Sequence, residues 1–266
     1  MKQKILKHVR RLRWSLPSSD FVGFRWHVGR PNFGDDLNPF LWQAILAKPI
    51  RLVRRNEPHV LGMGSILELA TESSLVAGAG FLRQPHSGTR VNASVLSVRG
   101  SLSADFLEAP ALLGDPAVLT SLLFPRSSKP SPKVGLVPHV TEINKYLAKP
   151  IPGVEIIDVR LHPLEVVARI ANCSRILSRS LHGLIVADSF QVPNLWLAPN
   201  SDMLGGEFKF LDYYSTTNSR PVPQSIEPEE WASLPCSRFS VACYNFDRLS
   251  FLEGLRDGIN SWIYKK

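Results

Sequence analysis

The 266-residue chain has only three cysteines, Cys173, Cys236 and Cys243, and no C-x-x-C pair. Three thiols so spaced cannot make a disulfide framework, and a reducing, cytoplasmic setting is expected. No run of about 18 apolar residues occurs, so no membrane-spanning helix is expected. The N-terminus also lacks the apolar core and small-residue cleavage site of a signal peptide. The glycine pairs in "GMGS" and "GAGF" stop short of G-x-G-x-x-G, which argues against a dinucleotide cofactor. Asp35 and Asp36 have no H-E-x-x-H or Cys/His partner spacing, so no metal is expected. A G-x-S-x-G elbow is missing too, and with it the anchor for serine hydrolase chemistry.

Acids are absent before Asp20, where Lys2, Lys4, Lys7, Arg10, Arg11 and Arg13 stand. Removing those six charges from the net +8 leaves +2 for the rest of the chain. The basicity therefore belongs to an N-terminal arm, residues 1–19. Within it Ile5, Leu6, Val9, Leu12 and Trp14 fall at spacings compatible with an amphipathic helix. A solvated tail and attachment of residues 1–14 to an anionic membrane surface both fit that pattern. No basic stripe with interleaved aromatics continues into the body, so nucleic acid is not an expected partner.

What is present is alternation. With 44% apolar residues, the chain is long enough for one large core or two smaller ones. From residue 20, short apolar runs at 21–28, 60–66, 75–82 and 93–100 read as strands, with helices at 37–47, 101–108 and 116–124 between or after them. The stretch "PRSSKPSPK" has no large apolar residue and reads as a linker over 125–132. Strand–helix alternation then restarts, with strands at 133–139, 154–159, 174–180 and 194–199 and helices at 141–148, 162–172 and 181–190. An amphipathic helix closes the chain over 246–264. The fold class expected is α/β, with two doubly wound Rossmann-like domains, 20–124 and 133–266.

In such sheets ligands bind outside the carboxyl ends of the strands. Polar and glycine residues fall there: Asn32, Gly34, Asp35 and Asp36 after the first strand, Gly80, Arg99 and His139 after later ones, and Arg179, Ser180 and His182 at a strand-to-helix junction. Together they suit an anion held by arginine, backbone N–H groups and a helix N-terminus. Residue types alone leave two readings of the junction: a catalytic or binding His182, or a core histidine beside a Ser180 helix cap. Asp36 reads as the N-cap of the helix that starts at 37, with Pro39 tolerated in its first turn. Asn32, Gly34 and Asp35 would face a ligand or form a rigid turn. Gly80 would let the backbone approach a ligand.

The segments "NFGDDLNPFL", "SVRGSLSADFL", "LLGDPAVL", "GLVPH" and "SRSLHGLIVADSFQVPN", in this order, resemble the polysaccharide pyruvyl transferases, over about residues 29–215. The resemblance implies a two-domain fold like that of GT-B glycosyltransferases, with a cleft between the domains. It implies transfer of the three-carbon unit of phosphoenolpyruvate to a sugar of a polysaccharide or its lipid-linked precursor. A pyruvate ketal forms and phosphate leaves, with no metal or redox cofactor. By position in the matching motifs, His182 is the proton donor or phosphate partner, His139 a second acid/base group, and Arg99 and Arg179 are anion clamps. The family often has arginine two residues before the histidine; here Ser180 holds that place and Arg179 is three before. Two other readings remain: a nucleotide-sugar glycosyltransferase on the same fold, and a non-catalytic, membrane-associated assembly factor for a polysaccharide pathway.

Overall fold

The structure, a computed structural model, describes residues 2–15, 20–108, 111–126, 132–199 and 203–264. Most of the expected linker, residues 127–131, lies outside them. The α/β expectation holds. Six parallel strands form a first sheet: β1 (Val22–Arg25), β2 (Ile50–Leu52), β3 (His59–Leu61), β4 (Ser74–Ala79), β5 (Ser94–Val98) and β6 (Leu112–Leu113), in the order β2-β1-β3-β4-β5-β6. Four more parallel strands form a second: β7 (Val134–Val137), β8 (Val154–Ile156), β9 (Arg175–Ser178) and β10 (Asn194–Trp196), in the order β10-β9-β7-β8. β3, β4 and β7 are buried along their whole lengths, which is why they read as unbroken apolar runs.

Ten α-helices accompany the strands among the described residues: α1 (Lys2–Ser15), α2 (Phe33–Asp36), α3 (Asn38–Leu46), α4 (Ser101–Ala104), α5 (Thr120–Leu123), α6 (Ile143–Ala148), α7 (Pro163–Asn172), α8 (Leu181–Ser189), α9 (Phe208–Tyr214) and α10 (Arg248–Tyr264). None is long and apolar enough to cross a membrane. α10, last in the sequence, lies against the first sheet: Phe251, Leu255 and Ile259 are buried, and the Arg256 Nε–H donates to the Ile45 carbonyl at 2.8 Å. One apolar cluster links Phe24, Leu41 and Ile45 of the first half, through Ile185 and Ala187 of α8, to Val137 and Ile176 of the second.

Asp36 does not cap α3. The chain makes a separate helical turn over Phe33–Asp36, so Asp36 is inside α2 and Leu37 stands at the α3 N-cap. The Asp36 carboxylate instead accepts the Asn32 N–H at 3.1 Å and pairs with Arg10 of α1. α1 is thereby fastened to the body, since Arg10 also donates to the Gly29 carbonyl at 2.7 Å. Trp14 packs edge-on against Trp26 and Phe40, with ring centres 6.1 and 5.8 Å away.

Candidate active site

Strand order reverses between β1 and β3 in the first sheet and between β7 and β9 in the second. These are the switch points at which a crevice opens outside the carboxyl ends of parallel strands. The loops leaving the four strands carry Asn32–Asp35, Gly64, His139 and His182 respectively.

α8 is buried at every residue except His182, whose side chain is 12% exposed. An apolar helix lodged in the core thus offers one polar side chain toward solvent. Ser189 at its far end binds the first half, accepting the Ser121 N–H at 3.0 Å and donating to the Val118 carbonyl at 2.8 Å. Asp188 binds the second half, accepting from Asn194, Tyr213 and the Ala242 N–H. The A-D-S part of the motif is therefore a clamp that fixes the helix.

The His182 ring is gripped on two sides. A Cβ on Gly34 would sit 2.2 Å from Nδ1, so only glycine lets the loop after β1 close on the imidazole. On the other side Nε2 faces the Asp115 Oδ2 at 3.8 Å, beyond hydrogen-bond reach, and among the described residues both buried atoms lack a hydrogen-bond partner. Asp115 holds still because its Oδ1 accepts the Ala117 N–H at 3.0 Å as the cap of a short helical turn. Burial pushes the Asp115 carboxyl up to about 6 and the His182 imidazole down to about 4. For His182, nearby Arg99 and Lys209 add to the lowering, and Asp35 opposes it. A neutral imidazole facing a carboxylate, with opposed shifts, is the arrangement from which protons are exchanged.

Lys209, on α9, completes the cluster. Burial, then the charge of Arg99, lowers its ammonium to about 8, and among the described residues it has no ion-pair partner. His139 is half-buried; its Nδ1 pairs with the Thr141 hydroxyl at 2.8 Å, and burial followed by Lys209 and Arg30 lowers it to about 4. Arg30, Arg99 and Lys209 thus place positive charge around the two histidines.

Several expected site residues are occupied otherwise. Arg99 is wholly buried, donating from Nε to Asp212 at 2.9 Å, from Nη1 to Ser65 at 2.9 Å and from Nη2 to the Phe81 carbonyl. Gly80 makes room for that guanidinium, since a Cβ there would lie 2.5 Å from Cζ; its N–H is bonded to Gly64 and cannot serve a ligand. Arg179 turns to the Glu142 carboxylate, the Tyr146 hydroxyl and the Ala198 carbonyl, and its guanidinium lies 5.7 Å from the Trp231 ring centre. Those contacts anchor β9 to α6. Ser180 occupies the α8 N-cap position, but its side chain makes no capping bond. Its hydroxyl and the first N–H groups of α8 remain for an anion. Asn32 donates to the Asp35 carboxylate at 3.1 Å, a turn that holds Asp35 near His182. Asn38, buried behind it, ties this turn to the end of β3 by donating to the Asp35 and Met63 carbonyls, both at 3.0 Å.

The polysaccharide pyruvyl transferase pattern matches residues 90–201. The succinoglycan biosynthesis protein ExoV of Rhizobium meliloti (strain 1021) is 31% identical over 232 residues, covering 77% of this chain and 69% of that protein. The chain belongs to the polysaccharide pyruvyl transferase family. An uncharacterized protein, L143, of Acanthamoeba polyphaga mimivirus is 26% identical over 214 residues, 73% of this chain and 74% of its own. No solved structure matches significantly. The stretch matched to the pyruvyl transferase pattern holds Arg99, Asp115, His139, Arg179, Ser180 and His182. Asn32–Asp35 and Lys209 lie near His182 from outside that stretch. Sequence reasoning quoted Asp115 within "LLGDPAVL" without giving it a role, and passed over Lys209; the signal available was a lysine flanked by two phenylalanines where a buried helix begins.

Proposed function

We propose that the protein transfers the pyruvyl unit of phosphoenolpyruvate to two hydroxyls of one sugar in a polysaccharide or its lipid-linked precursor, giving a pyruvate ketal and free phosphate. The observation that carries this reading is the His182–Asp115 pair set beneath a cationic crevice. The two sheets act as the two domains of a GT-B-like fold, with donor and acceptor meeting between their switch points. Phosphoenolpyruvate brings a carboxylate and a phosphate, and Lys209, Arg30 and the α8 N-terminus, with Ser180, supply the opposing charge and donors.

The reaction needs one proton added and two removed. Protonation of the methylene carbon makes an oxocarbenium-like centre at C2, which a first sugar hydroxyl attacks. Departure of phosphate with its bridging oxygen regenerates the cationic centre, and the second hydroxyl closes the ketal. One hydroxyl proton replaces that given to the methylene, and the other leaves on phosphate. His182 is the proton donor, its ring held between Asp115, which orients an Nε2–H, and Gly34 on the Nδ1 side. The negative donor raises the imidazole's affinity for that proton. His139, neutral and half-buried, takes the hydroxyl proton, and Asp35 orients the acceptor.

The test is incubation with phosphoenolpyruvate and a panel of oligosaccharides or lipid-linked saccharides. Phosphate release with the mass gain of a pyruvate ketal is expected. Protection against heat by a uridine nucleotide and not by phosphoenolpyruvate would favour the glycosyltransferase reading instead. Replacing Lys209 by glutamine is expected to raise KM for phosphoenolpyruvate about ten- to a hundredfold, the effect of losing one charged hydrogen bond, with kcat changed far less. An unchanged KM would remove Lys209 from the donor site.

A further inference from the structure

A second cationic site lies on the outer edge of the first sheet, apart from His182. A cavity of about 720 Å³ opens between α1 and the carboxyl ends of β1 and β2, and Arg11, Arg25, Arg51 and Arg54 line it. One carboxylate, Glu57, shares the lining, and it is engaged by the Arg54 backbone N–H at 2.7 Å. None of the four arginines has an ion-pair partner among the described residues. Arg25 is fixed by donating from Nη1 to the Val53 carbonyl at 2.6 Å, and Arg51 by stacking 3.7 Å over the Phe21 ring centre. Four guanidinium groups against one carboxylate leave the cavity with an excess of positive charge, whose cost a bound anion would offset. Planar guanidinium groups match phosphate oxygens two at a time, and the cavity is of the size that takes a small ligand.

The wall formed by α1 adds a second feature. Val9 and Leu12, one turn apart on that helix, are 58% and 51% exposed, beside Arg11 and Arg13. Apolar side chains bordered by arginine suit the interfacial region of a bilayer with anionic headgroups. We infer that the arginine-lined cavity binds a phosphate ester, and that α1 presents it to a lipid surface. Two sources offer that chemistry: the headgroup of an anionic phospholipid, and the diphosphate of a lipid-linked saccharide. In the second case the Arg10–Asp36 pair would join the phosphate site to the loop before His182, a span that ties acceptor to crevice. The phosphate site itself stands whether or not pyruvyl transfer is the reaction.

The test uses the full chain, the variant Arg11→Gln/Arg54→Gln, whose two side chains are exposed, and the charge-matched control Arg83→Gln/Lys149→Gln, placed away from the cavity. Two probes separate the sources: inorganic pyrophosphate by calorimetry, and sedimentation with phosphatidylcholine vesicles with or without phosphatidylglycerol. The native chain and the control are expected to bind pyrophosphate, the phosphatidylglycerol vesicles or both. The cavity variant is expected to bind about 30-fold more weakly, equivalent to about 2 kcal/mol. Pyrophosphate binding alone identifies a diphosphate ligand and overturns the lipid-surface part of the inference, and vesicle binding alone identifies a phospholipid headgroup. Binding of neither probe by the native chain overturns the inference, as does an equal loss in the cavity variant and the control. All three proteins should melt at similar temperatures, and because the readout is binding, a failure of the transferase assay leaves this result intact.

Discussion

Replacing His182 by glutamine is expected to lower kcat about 10²- to 10⁴-fold, the contribution of a well-placed general acid. Glutamine keeps a polar group against Asp115 and Gly34 but cannot carry a proton to carbon. The pH dependence separates this role from a structural one. Free His182 sits at about 4, held down first by burial, with Arg99 and Lys209 adding to the effect and Asp35 opposing it. Binding a negatively charged donor raises that value, so binding takes up a proton. Donor affinity should therefore increase as pH falls from 7, by up to about tenfold per unit until the free imidazole begins to protonate. The donor phosphate itself loses charge near pH 6 and works in the opposite direction. Comparison with His182→Gln at each pH cancels that contribution. Retained activity within a few-fold, or the same pH slope in both proteins, would exclude His182 as the acid. Asp115→Asn should give a smaller loss, because the imidazole stays and only the partner that orients Nε2–H is altered.

β3, β4 and β7 were legible because parallel strands buried on both faces are continuous apolar runs. β2 and β6 were not, since both are short and stand at the two edges of the sheet, where burial is incomplete. Asp36 was misread because two helices, α2 and α3, follow one another with only Leu37 between them, and the cap signal cannot say which of them it belongs to. At the candidate site, His182 could be located from a strand end followed by an apolar helix, yet its partner could not. Asp115 lies 67 positions earlier in the sequence, and its meaning depends on the two halves meeting. Arg179 shows the converse: a cation at a strand end looks free in sequence, and Glu142 and Tyr146, distant in the chain, claim it. Local chemistry can be read from spacing, whereas pairing across the core requires the fold.

The largest stability effect is expected at Asp212. Its Oδ2 accepts from Arg99 Nε at 2.9 Å and from the Ser103 hydroxyl at 2.7 Å, and its Oδ1 accepts the Ser103 N–H at 2.9 Å. Arg99 and Asp212 are both 0% exposed and lie 113 positions apart, so this pair joins the end of β5 to α9. Gly100 permits the approach, since a Cβ there would fall 1.7 Å from the Asp212 carbonyl oxygen. Asp212→Ala leaves a buried guanidinium without its counter-charge, which costs about 3–5 kcal/mol. In a protein of this size that corresponds to a fall in Tm of about 6–20 °C, measurable by calorimetry. A fall of less than about 2 °C would mean that water or a neighbouring carbonyl replaces the carboxylate. The double variant Arg99→Leu/Asp212→Leu removes both charges and should recover much of the lost stability. Its activity then decides the part played by Arg99. If the guanidinium touches the donor during turnover, the restored fold will still show a raised KM for phosphoenolpyruvate. If Arg99 only fastens β5 to α9, and so keeps Lys209 near His182, KM will return with Tm.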